Sequence, residues 1–337
     1  MRAVAYDIPL PVDDDQALFD CERETPVAAG RDLLVEVRAV SVNPVDIKIR
    51  AAARPQGGPG VLGWDAAGVV VAVGPDVQWF KPGDSVYYAG AVDRPGSNAE
   101  YQLVDERIVA HKPSTLDFSQ AAAMPLTAIT AWEALHERLA VHRPVVGAGS
   151  SLLIIGGAGG VGSMAIQLAR QTPGLLVTAT ASRPESVEWC RQLGAHHVLD
   201  HSKPLADQIE AMKIDPPAYV FSTTHTGEHM RDIARLIAPQ GRCCLIDDPS
   251  SLDVMPLKRK SVSLHWEYIF TRSLHQTADM ANQREILTKV AAMVDDGLIG
   301  TTLKETLQPI NAVNLRQAHA KLETDRMIGK IVVAGWG

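Results

Sequence analysis

The chain has 337 residues, 46% of them hydrophobic and 21% charged, with a formal net charge of -7. That length exceeds one ordinary core and suits two domains sharing a cleft, and the composition excludes disordered and fibrous classes. The negative charge and the lack of any long basic run exclude nucleic acid and anionic membrane as main partners, and the tight cluster Lys258-Arg259-Lys260 reads as a solvated loop.

From the N-terminus to about residue 125 the pattern is short strand-like runs broken by Gly, Pro and Asp. Met1-Arg2-Ala3-Val4 leads into a polar segment with no signal-peptide core, and no apolar stretch reaches bilayer length, so the expected location is cytoplasmic. Asp32 to Val42 predicts a strand in which Val35, Val37 and Ala39 alternate with Glu36 and Arg38. Gly68 to Val73 and Ser85 to Tyr88 follow, joined by the turn Pro82-Gly83-Asp84. These runs predict a small, irregular β-barrel.

From about residue 150 the rhythm changes. Apolar runs at Leu152–Ile155, Leu175–Ala181, His197–Asp200, Tyr219–Ser222, Cys243–Ile246 and Val262–Trp266 alternate with helical segments at Val161–Gln171, Pro184–Leu193, Pro204–Met212 and Glu228–Ile237. Strands that are apolar throughout and alternate with helices predict a doubly wound parallel sheet. Two further helices are expected near Asp279–Asp295 and Asn311–Glu323. A closing strand, Lys330-Ile331-Val332-Val333, cannot form a domain alone and is expected to return to the barrel.

Leu152-Leu153-Ile154-Ile155 runs into Gly156-Gly157-Ala158-Gly159-Gly160-Val161-Gly162, which holds G-x-G-x-x-G at Gly157, Gly159 and Gly162. Between a buried strand and a helix, these glycines make a tight turn, admit a pyrophosphate to the backbone and let the helix pack on the strand. The helix start then offers free N–H groups to an anion. At the end of the second strand, where an acid would hold the ribose of NAD, stands Ala181-Ser182-Arg183. A hydroxyl and a guanidinium suit a 2′-phosphate, so the expected cofactor is NADPH.

The order and spacing of further landmarks resemble the medium-chain dehydrogenase/reductase superfamily, in its quinone oxidoreductase branch, which includes zinc-type alcohol dehydrogenase-like proteins. The landmarks are Val42-Asn43-Pro44-Val45-Asp46, Gly63-Trp64-Asp65-Ala66-Ala67-Gly68, Lys81-Pro82-Gly83-Asp84, Ala123-Met124-Pro125-Leu126-Thr127, the glycine loop and Gly329-Lys330-Ile331-Val332. The resemblance implies a GroES-like catalytic domain over residues 1–125, a Rossmann domain over 126–268 and a return to the catalytic domain over 269–337. It also implies a homodimer, joined through the edge strand Val262–Trp266.

Zinc alcohol dehydrogenases carry cysteine and a His-Glu pair where this chain has Asn43 and Trp64-Asp65. The four cysteines, Cys21, Cys190, Cys243 and Cys244, show no C-x-x-C spacing and read as packed thiols. His196, His197 and His201 with Asp200 do not make a metal site either, because neighbouring strand residues point to opposite faces. A zinc-independent enzyme is therefore expected, one that transfers hydride from NADPH to a quinone or similar conjugated carbonyl. An NADPH-dependent alkenal or enone reductase and a low-turnover NADPH sensor stand as alternatives.

By resemblance, Asn43, Asp46 and Thr127 line the nicotinamide end, and Lys48, where relatives have Tyr, acts electrostatically. Trp64, Tyr87, Tyr88 and Trp266 are the expected substrate walls. His201 is expected beside the adenine, and Thr224, His225 and Asp247, which end the fourth and fifth strands, form the cofactor wall.

Overall fold

Along Asp32–Ser41, Leu33, Val35, Val37 and Ala39 are buried while Arg38 is exposed and pairs with Glu36. That alternation makes the strand the hub of a seven-stranded sheet. It pairs antiparallel with Ala66–Val73, Tyr101–Asp105 and Lys330–Ala334. Register shifts at Leu34/Val35 and Val37/Ala39 mark bulges, which increase local twist and curl the sheet. Ser85–Tyr88 pairs with Ala66–Val73 beyond a turn in which Gly83 takes a φ of 99°. A second sheet of Phe19–Glu22, Arg2–Tyr6 and Gly60–Val61 belongs to the same unit.

This computed structural model describes residues 1–52, 54–55 and 57–337. It divides into two compact units, Met1–Ile129 with Phe270–Gly337, and Thr130–Ile269. The closing strand Lys330–Ala334 does return to the first unit. It inserts between Asp32–Ser41, antiparallel, and Leu303–Leu307, parallel. The latter strand, Leu-Lys-Glu-Thr-Leu, was not expected from the sequence.

The second unit carries a six-stranded parallel sheet in the order His197–Leu199, Leu176–Thr180, Ser151–Ile155, Tyr219–Ser222, Arg242–Leu245, Ser263–Trp266. All residues of Ser151–Ile155 and Tyr219–Ser222 are buried, which is why these strands read as unbroken apolar runs. The helices Gly160–Arg170, Pro184–Gln192, Leu205–Ala211 and Thr226–Leu236 connect them. Leu153, Ile155, Val220, Met230 and Ile233 share one core cluster. Strand order reverses at Ser151–Ile155, whose neighbours are the second and fourth strands, so a switch point lies at its carboxyl end. The fold is α/β, a barrel-like β unit and a doubly wound parallel-sheet unit. No helix among the described residues is long and apolar enough to cross a membrane.

Candidate active site

The glycine loop stands at that switch point. Gly156 leaves the first strand with φ 79°, and its N–H donates to Thr180 Oγ1 at 3.0 Å while Gly157 N–H donates to Thr180 O at 3.0 Å. The turn is thus tied to the end of the second strand. Gly159 starts the helix Gly160–Arg170 in extended backbone, φ -69° and ψ 173°, and no side chain among the described residues caps it. The first-turn N–H groups, Val161 among them, are therefore available to an anion. Ser163 Oγ donates to Ala158 O at 3.2 Å and accepts from Trp189 Nε1 at 2.8 Å, which fixes the loop from behind.

The glycines differ in what demands them. A Cβ on Gly157 would meet Ala179 Cβ at 2.7 Å, and one on Gly162 would meet Gly156 O at 2.2 Å, so the protein's own packing excludes side chains there. A Cβ on Gly159 would meet only Gly156 O, at 3.5 Å. No contact within the chain requires glycine at Gly159, whereas a pyrophosphate lying on the backbone would. The loop fits a dinucleotide.

At the end of the second strand Ser182 is exposed, and Arg183, not Ser182, occupies the cap position of Pro184–Gln192. Arg183 N–H donates to Ser186 Oγ at 3.2 Å, and its guanidinium lies 3.2 Å from the exposed Glu185 carboxylate. His201 Nδ1 lies 3.3 Å from Thr180 Oγ1, and burial holds its pKa below the usual histidine range.

His225 adopts the left-handed region, φ 51°, at the start of Thr226–Leu236, and its Nδ1 lies 2.8 Å from Thr224 Oγ1. Asp247 accepts Thr226 N–H at 2.8 Å and the Thr226 hydroxyl. Its carboxylate thereby anchors the helix start, where a negative charge is stabilising.

In the first unit, Asn43 opens the helix Pro44–Ala52. Its backbone N–H donates to Asp46 Oδ2 at 2.7 Å, its carbonyl accepts Asp46 N–H at 3.0 Å, and Pro44 follows as the first helical residue. The Asn43 side chain is held on both sides. Nδ2 donates to Asp65 Oδ2 at 2.9 Å, and Oδ1 accepts from the Lys330 ammonium. Asp65 Oδ1 accepts Leu126 N–H at 2.7 Å, in the first turn of Pro125–Trp132. Lys330 also donates to Val42 O at 2.9 Å and lies 3.1 Å from Asp65 Oδ2. Burial pushes Asp46 up to about 7 against the opposing pull of Asn43 N–H and Lys330, and burial likewise raises Asp65. Both ends of the Asn43 amide are thus engaged within the protein.

Three expectations change. Lys48 sits two residues after the buried Asp46 on the same helix, a rotation of about 200°, and is exposed on the other face. Tyr87 and Tyr88 are 0% and 1% exposed, and Tyr87 donates its hydroxyl to Leu287 O at 2.6 Å; both rings are barrel core rather than an open wall. Trp64 is also buried, donates Nε1 to Ala91 O at 3.1 Å and meets Phe270 edge-on. Trp266 is 54% exposed on the last strand of the parallel sheet. Thr127 is buried and donates to Met124 O at 3.0 Å, which leaves the oxygen's lone pairs as acceptors. Sequence reasoning quoted Asp65 and Lys330 only as landmarks; an acid beside Trp64 and a cation opening an apolar strand were the available signals.

Zinc needs three or four N, S or O ligands in a tetrahedral array. Asn43 and Asp65 are bound to an ammonium, Trp64 has no ligating atom, and no group of three or more His, Cys, Asp or Glu among the described residues is arranged for a metal. These residues do not fit zinc.

Residues 29–114 match the alcohol dehydrogenase GroES-like domain family, and residues 160–283 match the zinc-binding dehydrogenase family. A zinc-type alcohol dehydrogenase-like protein of Staphylococcus aureus is 40% identical over 335 residues, 99% of each chain. A crystal structure from Rhizobium etli CFN 42, of a protein provisionally named a zinc-dependent alcohol dehydrogenase, is 58% identical with a TM-score of 0.99 and covers 100% of this chain and 98% of its own. The chloroplastic NADPH-dependent alkenal/one oxidoreductase of Arabidopsis thaliana is 42% identical over 180 residues, 51% of this chain and 45% of that protein. The chain belongs to the medium-chain dehydrogenase/reductase superfamily of oxidoreductases, among its zinc-type alcohol dehydrogenase-like proteins.

Proposed function

We propose that this oxidoreductase binds NADPH at residues 156–162 and passes hydride, without a metal, to a conjugated carbonyl such as a quinone or an α,β-unsaturated aldehyde or ketone. The observation that carries the reading is the uncapped helix start beside the open side-chain space at Gly159, at a strand-order reversal. NADPH supplies the hydride when bound. The backbone from Gly157 through Ala158, Gly159, Gly160 and Val161 to Gly162 holds the pyrophosphate, Ser182 and Arg183 hold the 2′-phosphate, and His201, Thr224 and His225 flank the adenosine.

In the barrel unit, Thr127 offers an acceptor to an N–H or O–H group of a bound ligand, not a donor to its carbonyl oxygen, while Asn43 and Asp46 hold the backbone that frames it. A conjugated acceptor spreads the incoming charge over its own π-system, so it needs positioning, exclusion of water and one or two hydrogen bonds. Zinc enzymes polarise an alcohol oxygen with the metal as Lewis acid, and no group of zinc ligands is arranged for that among the described residues. The Arabidopsis relative, named for NADPH and an alkenal or enone, supports the cofactor and acceptor class. The reading includes a homodimer through the edge strand Ser263–Trp266, beside which Tyr268 is also exposed; a monomer in sedimentation equilibrium would remove that part.

The test is NADPH and NADH oxidation with a small quinone and an alkenal at matched concentration, for the wild type and Arg183→Ala. Turnover with NADPH is expected. Loss of a charge-assisted contact, about 1.5–3 kcal/mol, should weaken NADPH roughly tenfold or more in the variant and leave NADH nearly unchanged. Equal weakening of both cofactors would make Arg183 a part of the helix start only. Tight NADPH binding with no oxidation by either acceptor would replace the enzyme with a sensor.

A further inference from the structure

The zinc-binding name of the matched family and the residues of this chain disagree, and the disagreement has a positive content. Three well-separated segments, Ser41–Asp46, Trp64-Asp65 and Lys330, meet at the start of Pro125–Trp132. They bury two carboxylates, Asp46 and Asp65, at 1% and 0% exposure. Anions so buried need a cation or a dense set of donors. The cation present is Lys330, itself 4% exposed, and its three N–H donors have three oxygens within reach: Val42 O, Asn43 Oδ1 and Asp65 Oδ2.

We propose that the Lys330 ammonium is the built-in cation of this site, held by Asn43 and Asp65 in place of a metal. Asn43 and Asp65 suit that task. An amide oxygen and a carboxylate are hard acceptors for a compact ammonium, whereas a structural zinc is typically held by thiolate and imidazole. A metal bound to the same oxygens would meet an ammonium already there, and like charges in a low-dielectric interior repel strongly. Through Asp65 and Leu126 N–H the same cation fixes the first turn of Pro125–Trp132, on which Thr127 stands, so Lys330 is a positioning residue. The inference stands on contacts within the barrel unit and holds whatever the acceptor.

The experiment is a double-mutant cycle on the full chain, Lys330→Met, Asp65→Asn and both together, read by chemical unfolding at fixed pH. Lys330→Met should be the least stable of the four proteins, because it leaves the buried Asp65 carboxylate without its ion-pair partner, and adding Asp65→Asn should recover much of that loss. Additive losses, with no recovery, would overturn the ion-pair role. If Lys330→Met does not fold, the unaltered protein still decides. Nitrogen NMR of lysine side chains should show one slowly exchanging, protonated ammonium, identified by its absence in Lys330→Arg and unchanged by excess zinc. Absence of that signal from the wild type, or its loss as stoichiometric zinc binds, would overturn the proposal.

Discussion

Gly159→Val should abolish dinucleotide binding while the second unit stays folded. The native backbone there, φ -69° and ψ 173°, is open to a β-branched residue, and no protein atom lies within 3.4 Å of the added Cβ. Valine even restricts the unfolded chain, so stability should change by no more than about 1 kcal/mol. The side chain instead fills the space a pyrophosphate needs and removes its approach to the helix N–H groups. Losing two charge-assisted contacts of about 1.5–3 kcal/mol each should weaken NADPH by about a hundredfold or more. Titration by nicotinamide fluorescence, paired with thermal unfolding without cofactor, measures both quantities. An unchanged dissociation constant would place the binding site elsewhere.

Gly162→Ala should do the reverse and damage the fold. Its Cβ would sit 2.2 Å from Gly156 O and 2.8 Å from Gly157 Cα, both backbone atoms that cannot rotate away. The helix Gly160–Arg170 must then lift from the turn, and Met164, Ala165, Ile166 and Leu168 on it are fully or almost fully buried. A loss of roughly 3 kcal/mol or more is expected, the upper end for overpacking. Thermal unfolding of the variant without cofactor measures it; wild-type stability with weakened NADPH binding would mean that Gly162, like Gly159, serves the ligand and not the packing.

The sequence made some of this architecture legible and concealed the rest for physical reasons. Ser151–Ile155 and Tyr219–Ser222 announce themselves because a strand covered on both faces has no polar residues to spend on solvent. The return of Lys330–Ala334 to the barrel follows from the need of a lone strand for partners. Its parallel partner Leu303–Leu307 was hidden, since Lys304 and Glu305 at a bulged edge dilute the alternation. Tyr87 and Tyr88 show how alternation fails. Neighbouring strand residues point to opposite faces, yet both rings are buried, so sequence cannot choose which one lines an opening.

The glycine loop was readable because its chemistry is local: strand, turn and helix start lie within a dozen residues. The Asn43 constellation was readable only as a set of landmarks. Asn43 meets Asp65 across 22 residues and Lys330 across 287, and no local pattern reveals that both ends of its amide are already taken.

Hydride transfer without a metal is the central proposal. The most direct measurement is NADPH oxidation by a small quinone or alkenal on chelator-treated protein whose metal content has been determined by elemental analysis. Full activity in protein without stoichiometric zinc, unchanged by the chelator, is the expected result. Zinc bound at one per chain, with activity lost on its removal and restored on its return, would contradict it.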